Sequence, residues 1–295
     1  MAHIGIVTCD IIRPVVQSQE SPLYTHDDIH MIRELRKRGH SLEPLPWRRT
    51  TPKSGAFDLI LQRSPWDYME NQQAYLDWLQ GWSDAGVTVE HDLPTTLWNI
   101  DKHYLQGLEE RGVSCVPTYF LEPEDPQTLE QVAHSRSWGE VVIKPAISGA
   151  ARDTFRLTLD ELGTFQSTFE ELRRGRTFLV QPFVEAVLSE GEWSLIFFDG
   201  EYSHSVLKRA KPGDYRVQDD HGGTVYYEQP TDAMIEQAAQ VLAAAQRELL
   251  YARVDGILLD GQLHIVELEA IEPELFLRAD PVSAQRFADA IEKRL

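Results

Sequence analysis

Only two cysteines, Cys9 and Cys115, occur among the 295 residues and they form no C-x-x-C pair, so neither a disulfide framework nor a zinc knuckle is expected. That scarcity suits a reducing cytoplasm, the compartment expected for the chain. No apolar run approaches the roughly 18 residues of a membrane span. The N-terminal stretch MAHIGIVTCDIIRP has no charged segment leading into a long apolar one, so neither a membrane partner nor secretion is expected. Basic runs are also missing, and a formal net charge of -19 argues against nucleic acid as a partner. The G-x-S-x-G, G-x-x-x-x-G-K-[ST] and G-x-G-x-x-G patterns do not occur, which lowers hydrolase, P-loop and dinucleotide-binding readings. His26 and His30 stand four apart on a predicted helix, but HDDIH lacks the catalytic glutamate of a zinc protease and shows no third ligand.

What is present is an ordered succession of elements in a chain long enough for two or three substructures. HIGIVTC, SLEPLPW, FDLILQR and VTVEH read as strands, and 25–38 and 71–82 as helices, with Thr25 and Asp28 spaced as a capping box. Strand alternating with helix implies a parallel sheet flanked by helices, so 1–97 is expected to form an α/β domain on the substrate side. A helix over 94–112 follows, and the texture then becomes α+β. EVVIKP, the small-residue loop SGAARD, the strand TFRL, a helix over 161–174 and the strand TFLVQPF come in order. A hairpin turned at Asp199-Gly200 joins EWSLIFF to EYSHSVLKRA, and KPGDYRVQDDHGGT is a long loop without periodicity. A helix over 233–249, an acidic hairpin and a helix over 283–294 close the chain.

The acidic hairpin, RVDGILLDGQLHIVELEAIEPELFL, carries the chemistry. Val266, Leu268 and Ala270 share one strand face, so Glu267 and Glu269 share the other. Like charges two residues apart repel unless a cation lies between them, and a hard divalent ion suits carboxylate oxygens. A solvated hairpin face is the alternative. Asp255 joins that face only if the register permits, and a two-residue turn at Asp260-Gly261 alone would misplace it. An odd loop or a bulge is therefore expected, aligning Arg253, Asp255, Glu267 and Glu269.

Lys102, the IKP strand with its loop, the QPFVE segment and the RVD…VELE hairpin, taken in order, resemble the ATP-grasp superfamily over about residue 94 to the C-terminus. RSPWDY, LWNIDKHYL, KPAISGAARDTFR and DYRVQDDHGG further resemble its glutathione-synthetase-like branch, cyclo-ligases included. The resemblance implies an α/β ATP-grasp fold, α+β in its C-terminal part, with a Rossmann-like parallel-sheet domain at 1–97 and the grasp at 98–295, its central lid over about 115–182. It implies ATP and Mg²⁺ as cofactors and a C–N bond formed through an acyl phosphate; Glu269, where many relatives place Asn, adds charge that is expected to hold the cation more firmly and to tolerate Mn²⁺. Ring closure within one small amino-acid-like substrate is favoured, against an intermolecular amino-acid or dipeptide ligase or a regulatory protein that binds nucleotide without turnover. A homodimer is also implied.

Residue by residue, Lys102 and Lys144 resemble the nucleotide lysines. Ser148 and Gly149 belong to a loop that lets amides approach phosphates, though it carries fewer glycines than such families often have. Gln181, Phe183 and Val184 resemble the adenine-binding strand, and Glu192, with Glu185 as competitor, the ribose acid. Asp255, Glu267 and Glu269 fall at the Mg²⁺ positions, and Arg253 resembles the arginine on the transferred phosphoryl group. On the acceptor side Arg209 and Arg216 are expected to serve the acyl phosphate and substrate carboxylate. Arg63, Ser64, Trp66, Asp67 and Tyr68 follow a strand whose carboxyl end should face the cleft, although Trp66 and Tyr68 also suit a core. His221 and Gly222 belong to a lid or to a disordered stretch.

Overall fold

The structure, a computed structural model, describes residues 1–149, 151–217 and 222–295, so His221 lies outside the described residues. Strands β1 (His3–Thr8), β2 (Ser41–Pro46), β3 (Leu59–Ser64) and β4 (Thr88–Glu90) form a parallel sheet in the order β2-β1-β3-β4, with α1 (Asp28–Lys37), α2 (Gln72–Asp84) and α3 (Leu93–Asn99) in the connections. After α4 (Tyr104–Glu110), an antiparallel sheet in the order β5-β8-β6-β7 is built from β5 (Tyr119–Leu121), β6 (Glu140–Pro145), β7 (Phe155–Thr158) and β8 (Phe178–Pro182). It is packed by α5 (Leu129–Ser135) and α6 (Leu159–Leu172), whose starts are closed by capping boxes at Thr128 and Thr158. The short α7 (Ala186–Ser189) leads into a second antiparallel sheet, in the order β11-β10-β9-β12-β13. Its strands are β9 (Glu192–Phe198), β10 (Glu201–Arg209), β11 (Thr224–Tyr226), β12 (Tyr251–Leu259) and β13 (Gln262–Glu269), with α8 (Asp232–Ala245) and α9 (Ser283–Glu292) beside them.

One apolar cluster spans the first and last sheets: Ile4 and Leu61 share it with Ile196, Phe198, Tyr251 and Phe287, and the Phe198 and Phe287 rings stack at 4.6 Å. Burying such aromatic and β-branched surface is the main force holding the two sheets together. Among the described residues no helix is long and apolar enough to cross a membrane.

Two sequence expectations are corrected, and a third is met by the second of its two alternatives. The helix over 94–112 is two helices, α3 and α4, because Asp101 accepts from the His103 backbone N–H at 3.0 Å and the Lys102 N–H donates to Ala146 O at 3.0 Å. The helix expected from residue 25 begins at Asp28. Thr25 and Asp28 bond reciprocally at 2.8 Å, yet Asp27 and Asp28 turn their carboxylates inward, toward the Leu275 N–H and Arg63. The hairpin at 251–269 has the two-residue turn, Asp260 (φ 49°) and Gly261 (φ 78°) both left-handed, and no odd loop. The alignment is restored by the other device expected, a bulge: Leu259 pairs with Gln262 and Gly256 with Ile265, but Asp255 pairs with Glu267 and Arg253 with Glu269, so Val266 is the extra residue.

Gly256 faces that bulge, and a Cβ there would come within 2.9 Å of Leu263 Cγ and 3.0 Å of the His264 carbonyl oxygen. Gly256→Ala is expected to cost about 1–3 kcal/mol of stability through overpacking. Urea unfolding measures it; an unchanged midpoint would mean the hairpin can slip freely.

Candidate active site

Neighbouring strands carry charged side chains into one row. Lys208 of β10 pairs in register with Glu192 of β9, Ser194 of β9 with Asp255 of β12, Asp255 with Glu267 of β13, and Arg253 with Glu269. Strand alternation puts all of them on the same side, toward a cavity of about 830 Å³ that all three sheets line. Buried charge on this scale is tolerable only when paired. Arg253 bonds Asp255 through Nε at 3.0 Å and Nη2 at 2.8 Å, and the same Nη2 reaches Glu269. Lys208 Nζ lies 2.5 Å from Glu192 and 3.5 Å from Asp255, whose Oδ1 also accepts from Ser194 Oγ at 2.5 Å.

The opposite wall supplies two lysines. The break between α3 and α4 aims Lys102 inward, where Nζ donates to Ser148 O at 2.8 Å and lies 3.1 Å from Glu267. Lys144, on β6, lines the same cavity and is held below its usual range by burial, with Lys102 adding to the effect and Glu267 opposing it. Burial alone would raise each carboxylate. Against it, Arg253 and Lys208 hold Asp255 down to about 2, and Lys102 and Lys144 hold Glu267 below its ordinary value. Glu269 is pushed up to about 7 by burial, with Glu267 and Asp255 adding to it against Arg253. Among the described residues no three His, Cys, Asp or Glu side chains converge into a closed metal cage. Asp255, Glu267 and Glu269 share a face but are each turned to a cationic side chain. Their chemistry still suits Mg²⁺, which binds through one or two carboxylates plus phosphate oxygens and waters and needs no all-protein cage.

Ser148, Gly149, Gln181, Phe183, Val184 and Arg216 line the cavity as well. Gln181 Nε2 donates to Thr118 Oγ1 at 2.8 Å, and the Arg156 guanidinium sits 3.6 Å over the Phe183 ring. Arg216 grips Asp214 through Nε at 3.0 Å and Nη2 at 2.9 Å. Of the two competing glutamates, Glu192 lines the cavity, while Glu185 is exposed outside it. Arg209 is not brought to the site: adjacent strand residues point to opposite faces, so Lys208 takes the inward position and Arg209 lies exposed over the Tyr226 ring at 5.5 Å. Counting alternate positions along EYSHSVLKR from a fixed register would have found Lys208, which the sequence alone did not assign.

From the parallel sheet come Arg63, Trp66, Asp67 and Tyr68, all lining the cavity. Trp66 Nε1 donates to Glu272 O at 3.2 Å, and Asp67 accepts from Trp47 Nε1 at 2.6 Å and Arg48 Nε at 2.7 Å. Ser64 is buried behind that wall and Gly222, left-handed at φ 82°, lies away from it. Two inward groups were not assigned from the sequence. Asp27 is pushed up to about 7 by burial, with Glu274 and Asp28 adding, and Glu272 up to about 8 by burial, with Glu269 adding.

A parallel-sheet domain followed by two antiparallel sheets that enclose a cavity lined by lysines, arginines and carboxylates is the ATP-grasp architecture, and the chain is an ATP-grasp ligase. Within that class it is similar to D-cycloserine synthetase. The family described as "D-cycloserine synthetase DcsG, N-terminal domain" matches residues 4–99. The cycloserine biosynthesis protein DcsG of Streptomyces lavendulae is 29% identical over 281 residues, covering 90% of this chain and 92% of that protein. The crystal structure of D-cycloserine synthetase DcsG superposes with a TM-score of 0.83 at 26% identity, covering 99% of both chains. At 16% identity the likeness is one of fold alone: D-alanine–D-alanine ligase from Bacillus anthracis, complexed with ATP, has a TM-score of 0.68, covering 99% of this chain and 97% of that one.

The raised carboxyls make stability pH-dependent. Asp27, Glu269 and Glu272 hold their protons more tightly folded than unfolded, so stability falls as pH rises toward their folded values of about 7, 7 and 8. His91, pressed down to about 4 by burial, has delivered its stabilisation by about pH 6.5. Thermal unfolding without divalent cations is therefore expected to show a Tm that declines between about pH 6.5 and 8. A rising Tm over that window would contradict the upward shift of these three buried carboxyls.

Proposed function

We propose that the chain is an ATP- and Mg²⁺-dependent carboxylate ligase that closes a ring within one substrate, converting O-ureido-D-serine towards D-cycloserine. The observation that carries this is the row Lys208, Glu192, Arg253, Asp255, Glu267 and Glu269 facing Lys102 and Lys144 across one cavity. Similarity to D-cycloserine synthetase over nearly the whole chain narrows the substrate.

In this reading Gln181, Phe183 and Val184 receive the adenine, Glu192 is near the ribose, and Lys102 and Lys144 hold phosphate oxygens. Ser148 and Gly149 leave room for backbone amides to approach them. Glu267 and Glu269, with Asp255 behind them, would hold Mg²⁺, which when bound neutralises charge building on the transferred phosphoryl group. A substrate carboxylate oxygen attacks the γ-phosphorus and ADP leaves. Arg253 and Lys208 then face the acyl phosphate and stabilise its leaving oxygens. The oxygen-bound nitrogen of the ureido group attacks the acyl carbon, the C–N bond forms, the C–O bond to phosphate breaks, and the nitrogen gives up its proton. That ring is lighter than the substrate by one water; hydrolysis of its carbamoyl group as carbamate yields cycloserine. Arg216 supplies a further cation at the cavity rim.

The test is ADP release under Mg²⁺, with O-ureido-D-serine, single D- and L-amino acids, and amino-acid pairs supplied separately. ADP with the ureido acid alone, and a product lighter by one water or cycloserine itself, is the expected outcome. ADP only with pairs would move the chain to peptide-type ligation, and no ADP with any would remove catalysis of this kind. Lys144→Ala is expected to abolish detectable nucleotide binding. Lys208→Ala should lower kcat by about a hundredfold or more, as loss of a buried charge stabiliser does, while Arg209→Ala stays within about twofold, as expected of an exposed charge away from the site. Equal effects at 208 and 209 would overturn the inward placement of Lys208.

A further inference from the structure

Among the described residues, Glu272 is the one acid lining the cavity that has no cation beside it. Every other carboxylate on the wall is ion-paired to an arginine or a lysine, Glu267 to Lys102, Glu269 to Arg253 and Glu274 to Arg278 among them. Glu272 has instead the Tyr68 hydroxyl within hydrogen-bonding reach. Its backbone is gripped by the first domain, Trp66 Nε1 donating to Glu272 O at 3.2 Å and Arg63 Nη2 to Pro273 O at 2.9 Å. The residue is only half-buried, so an occupant of the cavity can meet its carboxylate. A second landmark fixes its place: Oε1 lies 4.0 Å from where a Cβ on Gly149 would stand, in the loop whose Ser148 carbonyl accepts from Lys102 Nζ at 2.8 Å.

The charges around it define the occupant. Glu192, Asp255, Glu267, Glu269 and Glu272 stand against Lys102, Lys144, Lys208 and Arg253, five acids to four cations, and the phosphates of a bound nucleotide, even with Mg²⁺, add more negative charge. The charges felt at Glu272 itself are those of Glu269 and Glu267 against Lys102, and Lys102 is committed to Glu267 at 3.1 Å and to the Ser148 carbonyl. Burial, with Glu269 adding to it, pushes the Glu272 carboxyl up to about 8, and a cation docked on it reverses that push. An anion would be repelled there, and a small cation is drawn in. In an α-amino acid the ammonium stands on the carbon next to the carboxylate. If that carboxylate is the one phosphorylated, the counter-ion of the ammonium has to lie beside the phosphate loop and the last acids of the strand row, and Glu272 occupies that place. On the reading of the site as a ligase that phosphorylates an amino-acid carboxylate, we propose that Glu272 binds the α-ammonium of the substrate and so selects amino acids over plain carboxylic acids.

Glu272→Gln tests this by removing the charge while keeping the shape and an acceptor for Tyr68. Affinities of wild type and variant are measured calorimetrically, with Mg²⁺ and a non-hydrolysable ATP analogue, for O-ureido-D-serine and for 3-(ureidooxy)propanoic acid, the same molecule without its amino group. Wild type is expected to bind the amino acid more than about tenfold tighter, the size of one charged hydrogen bond, and the variant to bind the two acids alike, its affinity for the ATP analogue unchanged. A deamino acid too weak to measure still bounds the wild-type preference, and the variant then has to lose more than about tenfold on the amino acid. Wild type without a preference overturns the proposal with no variant needed. Equal losses on both acids, or a weakened nucleotide, would make Glu272 a metal or structural group, and unchanged affinities with a lowered kcat would make it a proton acceptor; each overturns the ammonium contact. Thermal unfolding checks that the variant folds, and if it does not, Glu272→Ala is read in the same comparison. Failure of the underlying reading looks different. ADP from wild type with another amino acid but not with the ureido acid would change the substrate, and the comparison is then made with that amino acid and its deamino analogue. No ADP with any amino acid, single or paired, would discard both.

Discussion

The molecule depends on mutual neutralisation of buried charges along one strand row. Arg253 is shared between Asp255 and Glu269, Lys208 between Glu192 and Asp255, and Lys102 closes on Glu267. Removing one member of such a set strands its partner and typically costs about 3–5 kcal/mol. Four strands and the helix break at Lys102 must therefore hold their register together. The same cations that satisfy the carboxylates are the groups that phosphate oxygens would attract, so occupancy is an exchange of partners within a prepared field and needs no new charge brought from solvent.

The second constraint is the seam where the parallel sheet meets the chain leaving β13. Asn99 bonds Leu268 O at 2.8 Å and the Ala270 N–H at 2.9 Å, and Arg63 and Trp66 reach Pro273 O and Glu272 O. His91 joins the same seam, Nδ1 donating to Ala270 O at 2.7 Å while Nε2 accepts from the Leu250 N–H at 2.8 Å. Only the neutral ring can do both, in agreement with burial lowering its basicity to about 4. Side chains of the first domain thus bind the backbone of the last, and the cavity wall is continuous across the join.

Much of the fold was legible because its signals are local. Alternating apolar positions, the Asp199-Gly200 and Asp260-Gly261 turns and the strand-helix rhythm of the first 97 residues follow from backbone periodicity. The shared face of Glu267 and Glu269 was legible for the same reason. Missed elements are short or non-local: β5 and β11 are three-residue strands stabilised by pairing with β8 and β10, and α3 and α4 are divided by a contact with Ala146 far along the chain.

The sequence by itself determined which residue types could carry the chemistry and, within each strand, which share a side, since that needs only a period of two. Tertiary structure decided which side faces the cavity. The bulge at Val266 brought Asp255 opposite Glu267, pairing of β10 with β9 turned Lys208 inward and Arg209 out, and the seam carried Asp27 and Arg63 to the same wall. Those choices depend on register between segments distant in sequence, and register is settled by the joint requirement to bury apolar surface and leave no charge unpaired.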